Sequence, residues 1–154
     1  MTFNIKISKD TKCENGFHYE IDIGAHREVV PIMTTRWSPE AYKRQWVEAL
    51  EFLVASRSSR CALITCIQPE SVSYGITYWA LFREGDFVYF QERFIRYGYR
   101  RFLISPMTVD RYMPDRMEGT FEEYSQISEW VLPISDIQKF LLSINDGYFQ
   151  KHHL

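Results

Sequence analysis

Residues 76–91, ITYWALFREGDFVYFQ, hold two apolar runs separated by a four-residue break. Ile76 to Phe82 is apolar on both sides of an extended chain, as a strand covered on both faces would be, and its aromatic and β-branched members favour that backbone. Arg83-Glu84-Gly85-Asp86 then leads to Phe87-Val88-Tyr89-Phe90-Gln91, a spacing that predicts a tight hairpin with Gly85 in a conformation other residues avoid. Cys61 to Ile67 has the same two-sided apolar character, and Pro69 marks the loop before the hairpin. An antiparallel sheet of at least three strands is the economical arrangement of these pieces.

Toward the amino terminus the clearest local signal begins at Ser38. Its hydroxyl can accept from a first-turn amide, Pro39 lacks an N–H that would go unpaired, and Glu40 lies at the positive end of the helix dipole. Tyr42, Trp46, Ala49, Leu50 and Leu53 recur at helical spacings opposite Lys43, Arg44, Glu48 and Glu51, which predicts an amphipathic helix over residues 39–56. Arg44 and Glu48 have the spacing of a helical ion pair. Further upstream, Phe17, Tyr19, Ile21 and Ile23 alternate with His18, Glu20 and Asp22, the period of a strand with one wet face. Gly24-Ala25 breaks that strand, and Val29 to Ile32 reads as a shorter one.

Toward the carboxy terminus Ser105-Pro106 repeats the helix-start signal, and Pro114 limits that element to about two turns with Val109 and Tyr112 inward. RMEGTFEEY, residues 116–124, reads as a flexible acidic loop. Ile127 to Leu132 returns to the sheet, and Pro133 ends it. Ser135 and Gln138 then form a capping box for a last helix with the stripe Ile137, Phe140, Leu141 and Ile144, stopped by Asn145-Asp146-Gly147. These elements predict an α+β fold, an antiparallel sheet packed with amphipathic helices, in a single domain spanning residues 1–154.

With 154 residues, 45% hydrophobic and 16% aromatic, the chain can bury a core without disulfides or a metal, and it is no disordered tail. It lacks an apolar stretch of the ~18 residues that a membrane span needs. The start MTFNIKISKD lacks the pattern of a signal peptide, so a cytoplasmic location is expected. Cys13, Cys61 and Cys66 leave one thiol over in any disulfide scheme, which suits a reducing compartment. The net charge of −2 excludes a strongly basic nucleic-acid-coating protein, but the charge is uneven. Residues 93–116 carry six basic and two acidic side chains, whereas residues 117–154 carry two and six.

Catalytic signatures are absent: the sequence has no glycine-rich phosphate loop, no HExxH and no nucleophile elbow. Cys61 and Cys66 stand an odd number of residues apart, which on a regular strand points them to opposite faces and argues against a metal pair. The chain therefore reads as a non-enzyme with no catalytic residue, cofactor or metal. Two binding surfaces are suggested instead. Arg93, Arg96, Arg100 and Arg101, interleaved with Phe94, Tyr97, Tyr99 and Phe102, suit phosphate attraction and base stacking. Asp110, Glu118, Glu122, Glu123 and Glu129, with Phe121 and Tyr124 as apolar anchors, suit the substrate groove of a basic protein.

From Trp37 to Gly147 the order of features resembles the immunity proteins of bacterial contact-dependent growth inhibition, the CdiI family, whose solved relatives have a Whirly-like fold. The matching pieces are YKRQWVEAL from Tyr42, SRCALITCIQPE, ITYWALF, VYFQERFI, FLISPMTVDRYM, ISEW at 127–130 and IQKFLLSIN. The resemblance implies an antitoxin that binds the carboxy-terminal toxin domain of a cognate CdiA protein, often a nuclease, in the cytoplasm. It implies a 1:1 complex, no membrane partner, and packing roles for Trp46 and Trp130. By this reading the acidic residues cover the toxin's active site. The alternative is a single-stranded nucleic-acid-binding protein that uses Arg93, Arg96, Tyr97, Arg100 and Arg101.

Overall fold

A computed structural model describes residues 2–9, 16–68, 75–96, 109–116 and 128–152. Strands β1 (Phe3–Lys9), β2 (Phe17–Ile23) and β3 (His26–Pro31) form one antiparallel sheet, in chain order. Strands β4 (Ser58–Ile67), β5 (Gly75–Glu84), β6 (Phe87–Arg96) and β7 (Trp130–Pro133) form a second, also in chain order and antiparallel throughout. Helices α1 (Pro39–Ala55), α2 (Val109–Tyr112) and α3 (Ile134–His152) complete the α+β fold. The amino-terminal β structure thus forms a sheet of its own. Strand β1 was not anticipated from the sequence, although Phe3 and Ile5 are buried and alternate with Asn4 and Lys6.

The central hairpin forms as its sequence predicts. Glu84 pairs with Phe87 and Phe82 with Tyr89, and Gly85 turns the chain at φ 64°, where a Cβ would be strained. The turn also ties in its neighbours: the Gly85 amide donates to the Arg57 carbonyl at 2.8 Å, and the Ile134 amide donates to the Asp86 carbonyl at 2.8 Å.

Helix α1 starts where expected, with the Ala41 amide donating to the Ser38 hydroxyl at 3.2 Å. Tyr42, Trp46, Leu50 and Leu53 are its buried stripe. Its ion pair is Lys43 with Glu40 at 3.5 Å, rather than the expected Arg44 with Glu48. Helix α1 lies along the outer edge of β4, where among the described residues no further strand pairs with its backbone groups. Gln45 fills the role of a strand there: its side-chain amide donates to the Ala62 carbonyl at 2.7 Å, and its oxygen accepts from the Ile64 amide at 2.9 Å. Trp46 Nε1 donates to the Ile64 carbonyl at 2.6 Å, and the Tyr42 hydroxyl accepts from the Ile67 amide at 3.1 Å. At the other end of the helix Arg83, 7% exposed, donates to the carbonyls of Leu53 and Val54 and sets a cation on the negative end of the dipole.

The two sheets and the helices meet through aromatic side chains. Phe3 packs against Phe90 at 5.6 Å between centroids and edge-on against Phe140 of α3 at 5.1 Å. Tyr19 of β2 lies edge-on to Trp46 of α1. Trp130 stacks on His26 at 4.1 Å and meets Trp79 at 5.6 Å, so it packs the seam between the sheets.

Three local expectations are corrected. Glu20, expected on a wet face, is 7% exposed, because Arg27 and Lys6 pair with it from the neighbouring strands. Cys61 and Cys66 do not point to opposite faces. The register passes from Ile64 opposite Tyr78 to Cys66 opposite Thr77, and this bulge at Thr65 reverses the alternation. Cys61, opposite Leu81, therefore shares a face with Cys66, roughly 13 Å away along the strands, too far for a disulfide. Both thiols are free, and burial pushes both upward in pKa. Finally, α3 begins at Ile134, directly after β7, and runs through Asn145-Asp146-Gly147 to His152. The Asp86 carbonyl captures its first amide in place of a Ser135 cap, and a glycine inside an established helix costs only about 1 kcal/mol. The helix start expected at Ser105-Pro106 lies outside the described residues; α2 is a single turn with Val109 buried.

Replacing Trp46, 2% exposed, with alanine should cost about 3–5 kcal/mol, since transfer energy and cavity formation add. Gln45→Ala should cost about 1–3 kcal/mol by leaving two edge groups of β4 unpaired. Urea unfolding measures both, and a loss below about 0.5 kcal/mol for Gln45→Ala would mean that water serves that edge as well.

Candidate functional site

The register of β6 against β5 sets Tyr89, Gln91 and Arg93 opposite Phe82, Ala80 and Tyr78, so the three project from one face of the second sheet. Residues 113–116 cross this face. The Arg93 guanidinium lies over the Phe82 ring and donates to the carbonyls of Pro114 at 2.8 Å and Asp115 at 2.9 Å. Arg60 binds the Asp115 carboxylate at 2.8 Å. Beside them the Arg116 guanidinium covers the Tyr89 ring, 3.5 Å from its centroid.

Arg116 also meets Glu129 through two parallel bonds, Nε to Oε2 at 2.8 Å and Nη2 to Oε1 at 2.9 Å. Gln91, 1% exposed, donates to the same carboxylate at 2.7 Å. The Arg116 bond, followed by that of Gln91, holds the Glu129 carboxyl below its ordinary pKa, against an opposing effect of burial. These two residues flank residues 117–127, so the fork joins the two ends of the acidic stretch.

The sequence candidates thus divide. Asp110 is exposed on α2, whereas Glu129 and Arg93 are half-buried and engaged within the chain. Arg96 ends β6. Glu118, Phe121, Glu122, Glu123, Tyr124, Tyr97, Arg100 and Arg101 lie outside the described residues. Sequence reasoning did not find Arg116, Gln91 or Arg60, which act through pairs far apart in the chain. Nor did it find the groove beside Asp110, lined by Glu48, Phe52 and Cys61 among others. The one available signal was that an arginine and a glutamate bracket the acidic stretch.

Another carboxyl lies at the seam of the sheets. Glu92 is pushed up to about 7 by partial desolvation and by the neighbouring Glu28 carboxyl. Among the described residues no cluster of three or more acidic, histidine or cysteine side chains could hold a metal, and no helix is long and apolar enough to cross a membrane.

The profile of the CdiI N-terminal domain matches residues 32–140. The chain belongs to the CdiI family. No curated protein matches the sequence. Among solved structures, a chain of the "CdiA-CT/CdiI toxin and immunity complex from Enterobacter cloacae" is similar, with a TM-score of 0.79 at 21% identity. The match covers 94% of this chain and 99% of that one, so the shared fold extends over both sheets and the helices. Family membership agrees with the ISEW tetrad, whose Trp130 packs at the seam and whose Glu129 makes the fork with Arg116.

Two outcomes follow from the fork. Arg116→Met should lower stability by about 1.5–3 kcal/mol, the range for hydrogen bonds to charged groups, because Arg116 is only 17% exposed. The folded state lowers the Glu129 pKa below the ordinary carboxylate range, so its stabilising effect is complete above that range and is lost as pH falls through the lowered folded-state value. The stability gap between wild type and Glu129→Gln should accordingly be widest near neutrality and narrow in acid below pH 4.5, as read by urea unfolding across a pH series. A gap that widens in acid would contradict the assignment.

Proposed function

We propose that this chain is a non-enzymatic immunity protein. It binds its cognate CdiA C-terminal toxin domain in a 1:1 complex in the cytoplasm and covers the active site of a toxin that acts as a nuclease. The observation that carries this reading is the family match over residues 32–140, with its fold shared over 94% of the chain with a toxin and immunity complex. The charge distribution supports the chemistry. Nucleases present cations to phosphate, and an acidic surface accelerates encounter with such a groove while disfavouring other partners. Glu118, Glu122 and Glu123 supply that sign, in a stretch of the chain whose two ends the Arg116–Glu129 fork joins.

The arginine-rich stretch is weaker support for nucleic-acid binding. Arg93 directs its guanidinium to Pro114, Asp115 and Gln91 within the chain.

The test is the toxin domain encoded beside this chain. It should form a 1:1 complex and lose activity stoichiometrically, while unrelated toxin domains are not bound. Reversing Glu118, Glu122 and Glu123 to lysine should slow association at low salt more than at physiological salt and leave unfolding little changed, since exposed charges steer encounter but add little to stability. Unchanged association in that variant, together with inhibition lost on neutralising Arg96, Arg100 and Arg101, would overturn the acidic-surface mechanism. RNA or single-stranded DNA binding without any toxin complex would select nucleic-acid binding instead.

A further inference from the structure

A groove lies between α1, the first part of β4 and α2, on the side of α1 away from the buried stripe. Its volume is about 190 Å³, below the ~300–1,000 Å³ of sites that enclose small molecules, and closer to the size of one side chain. Ala49, Cys61 and Ala62 supply its apolar lining, together with Phe52, which is 60% exposed. Two exposed carboxylates also line it from different elements, Glu48 from α1 and Asp110 from α2. The other polar groups of the groove are already engaged. Gln45 spends its amide on the edge of β4, and Arg60 is bound to Asp115 at 2.8 Å, which offsets its charge.

We infer that this groove is a socket for a basic side chain, an arginine or lysine presented by the toxin domain; this rests on the function proposed above. The choice of occupant follows from complementarity. A long basic side chain has an apolar stem, which Ala49 and Ala62 can cover, and a charged head, which Glu48 and Asp110 can approach from opposite walls. The exposed ring of Phe52, which lines the same groove, can stack on the cation. Arginine fits best, because its planar fork can bond a carboxylate on each side while stacking on the ring. Asp110 begins the segment that Arg93 and Arg116 hold on the sheet, so the socket is continuous with the stem of the acidic stretch. The partner would thus be gripped at α1 as well as at residues 117–127.

The decisive comparison is affinity for the cognate toxin domain in Glu48→Gln/Asp110→Asn, in Phe52→Ala, and in the control Glu40→Gln/Asp86→Asn. The control makes the same change in net charge at side chains 77% and 72% exposed that do not line the groove. The socket predicts at least a tenfold loss in the first variant, mainly as faster dissociation, at least a threefold loss in the second, and less than twofold in the control. Urea midpoints of all three should stay near wild type, so the losses report binding rather than folding. Wild-type affinity in either groove variant, or an equal loss in the control, overturns the socket while leaving toxin binding intact. Absence of any complex with the wild-type chain overturns the proposed function and, with it, this occupant.

Discussion

The structure depends on how the outer edge of β4 is satisfied. An open strand edge exposes unpaired amides and carbonyls, a liability whether it faces water or another chain. Here the edge is closed by a helix rather than by a further strand. Gln45 reproduces the two bonds of a neighbouring strand, Trp46 and Tyr42 add one each, and Arg83 returns from β5 to cap the end of the helix. The cost of burying these polar groups is offset because each has a partner. With α1 held in this way, its apolar stripe faces inward, Trp46 reaches Tyr19 of the first sheet, and the two sheets share one core.

The same arrangement leaves the remaining face of α1 for other purposes. Phe52 lies off the buried stripe of Tyr42, Trp46, Leu50 and Leu53, and its ring is at the surface, lining one groove with Glu48. On the face of the second sheet, charge is used differently. Arg93, Arg116 and Glu129 fix a crossing segment in place, and their groups are largely consumed in doing so. Glu92 and Glu28, two neighbouring carboxyls at the seam, are a feature of another kind. With its pKa raised from the ordinary carboxylate range to about 7, Glu92 weakens the fold as pH rises through that window, since the folded state there holds the additional proton.

Legibility in the sequence followed the range of the interactions. Ser38, Pro39 and the stripe of α1, the alternation of β2, and the hairpin at Gly85 depend on neighbours a few residues away, and each formed where its pattern lies. Strand β1 carries the same alternation in Phe3 and Ile5, but over a stretch whose pairing with β2 is set only by the fold. The bulge at Thr65 left no local mark, and it alone reversed the facing of Cys66. The end of α3 was misplaced because Gly147 is only a modest local penalty, which context can override.

The sequence by itself determined the α+β class, the helix at Ser38, the hairpin, and, through ISEW and its flanking segments, the CdiI family. Those rest on short-range periodicity and on motif order, both of which are written along the chain. Only the tertiary structure decided that the β structure divides into two sheets and that a glutamine side chain closes an edge. It likewise decided that Arg116 and Glu129 join across the acidic stretch and that Glu48 and Asp110 line one groove. Each of these is a contact between residues distant in sequence, set by packing geometry rather than by local propensity. Composition records that such side chains are present, and only the fold determines which of them meet.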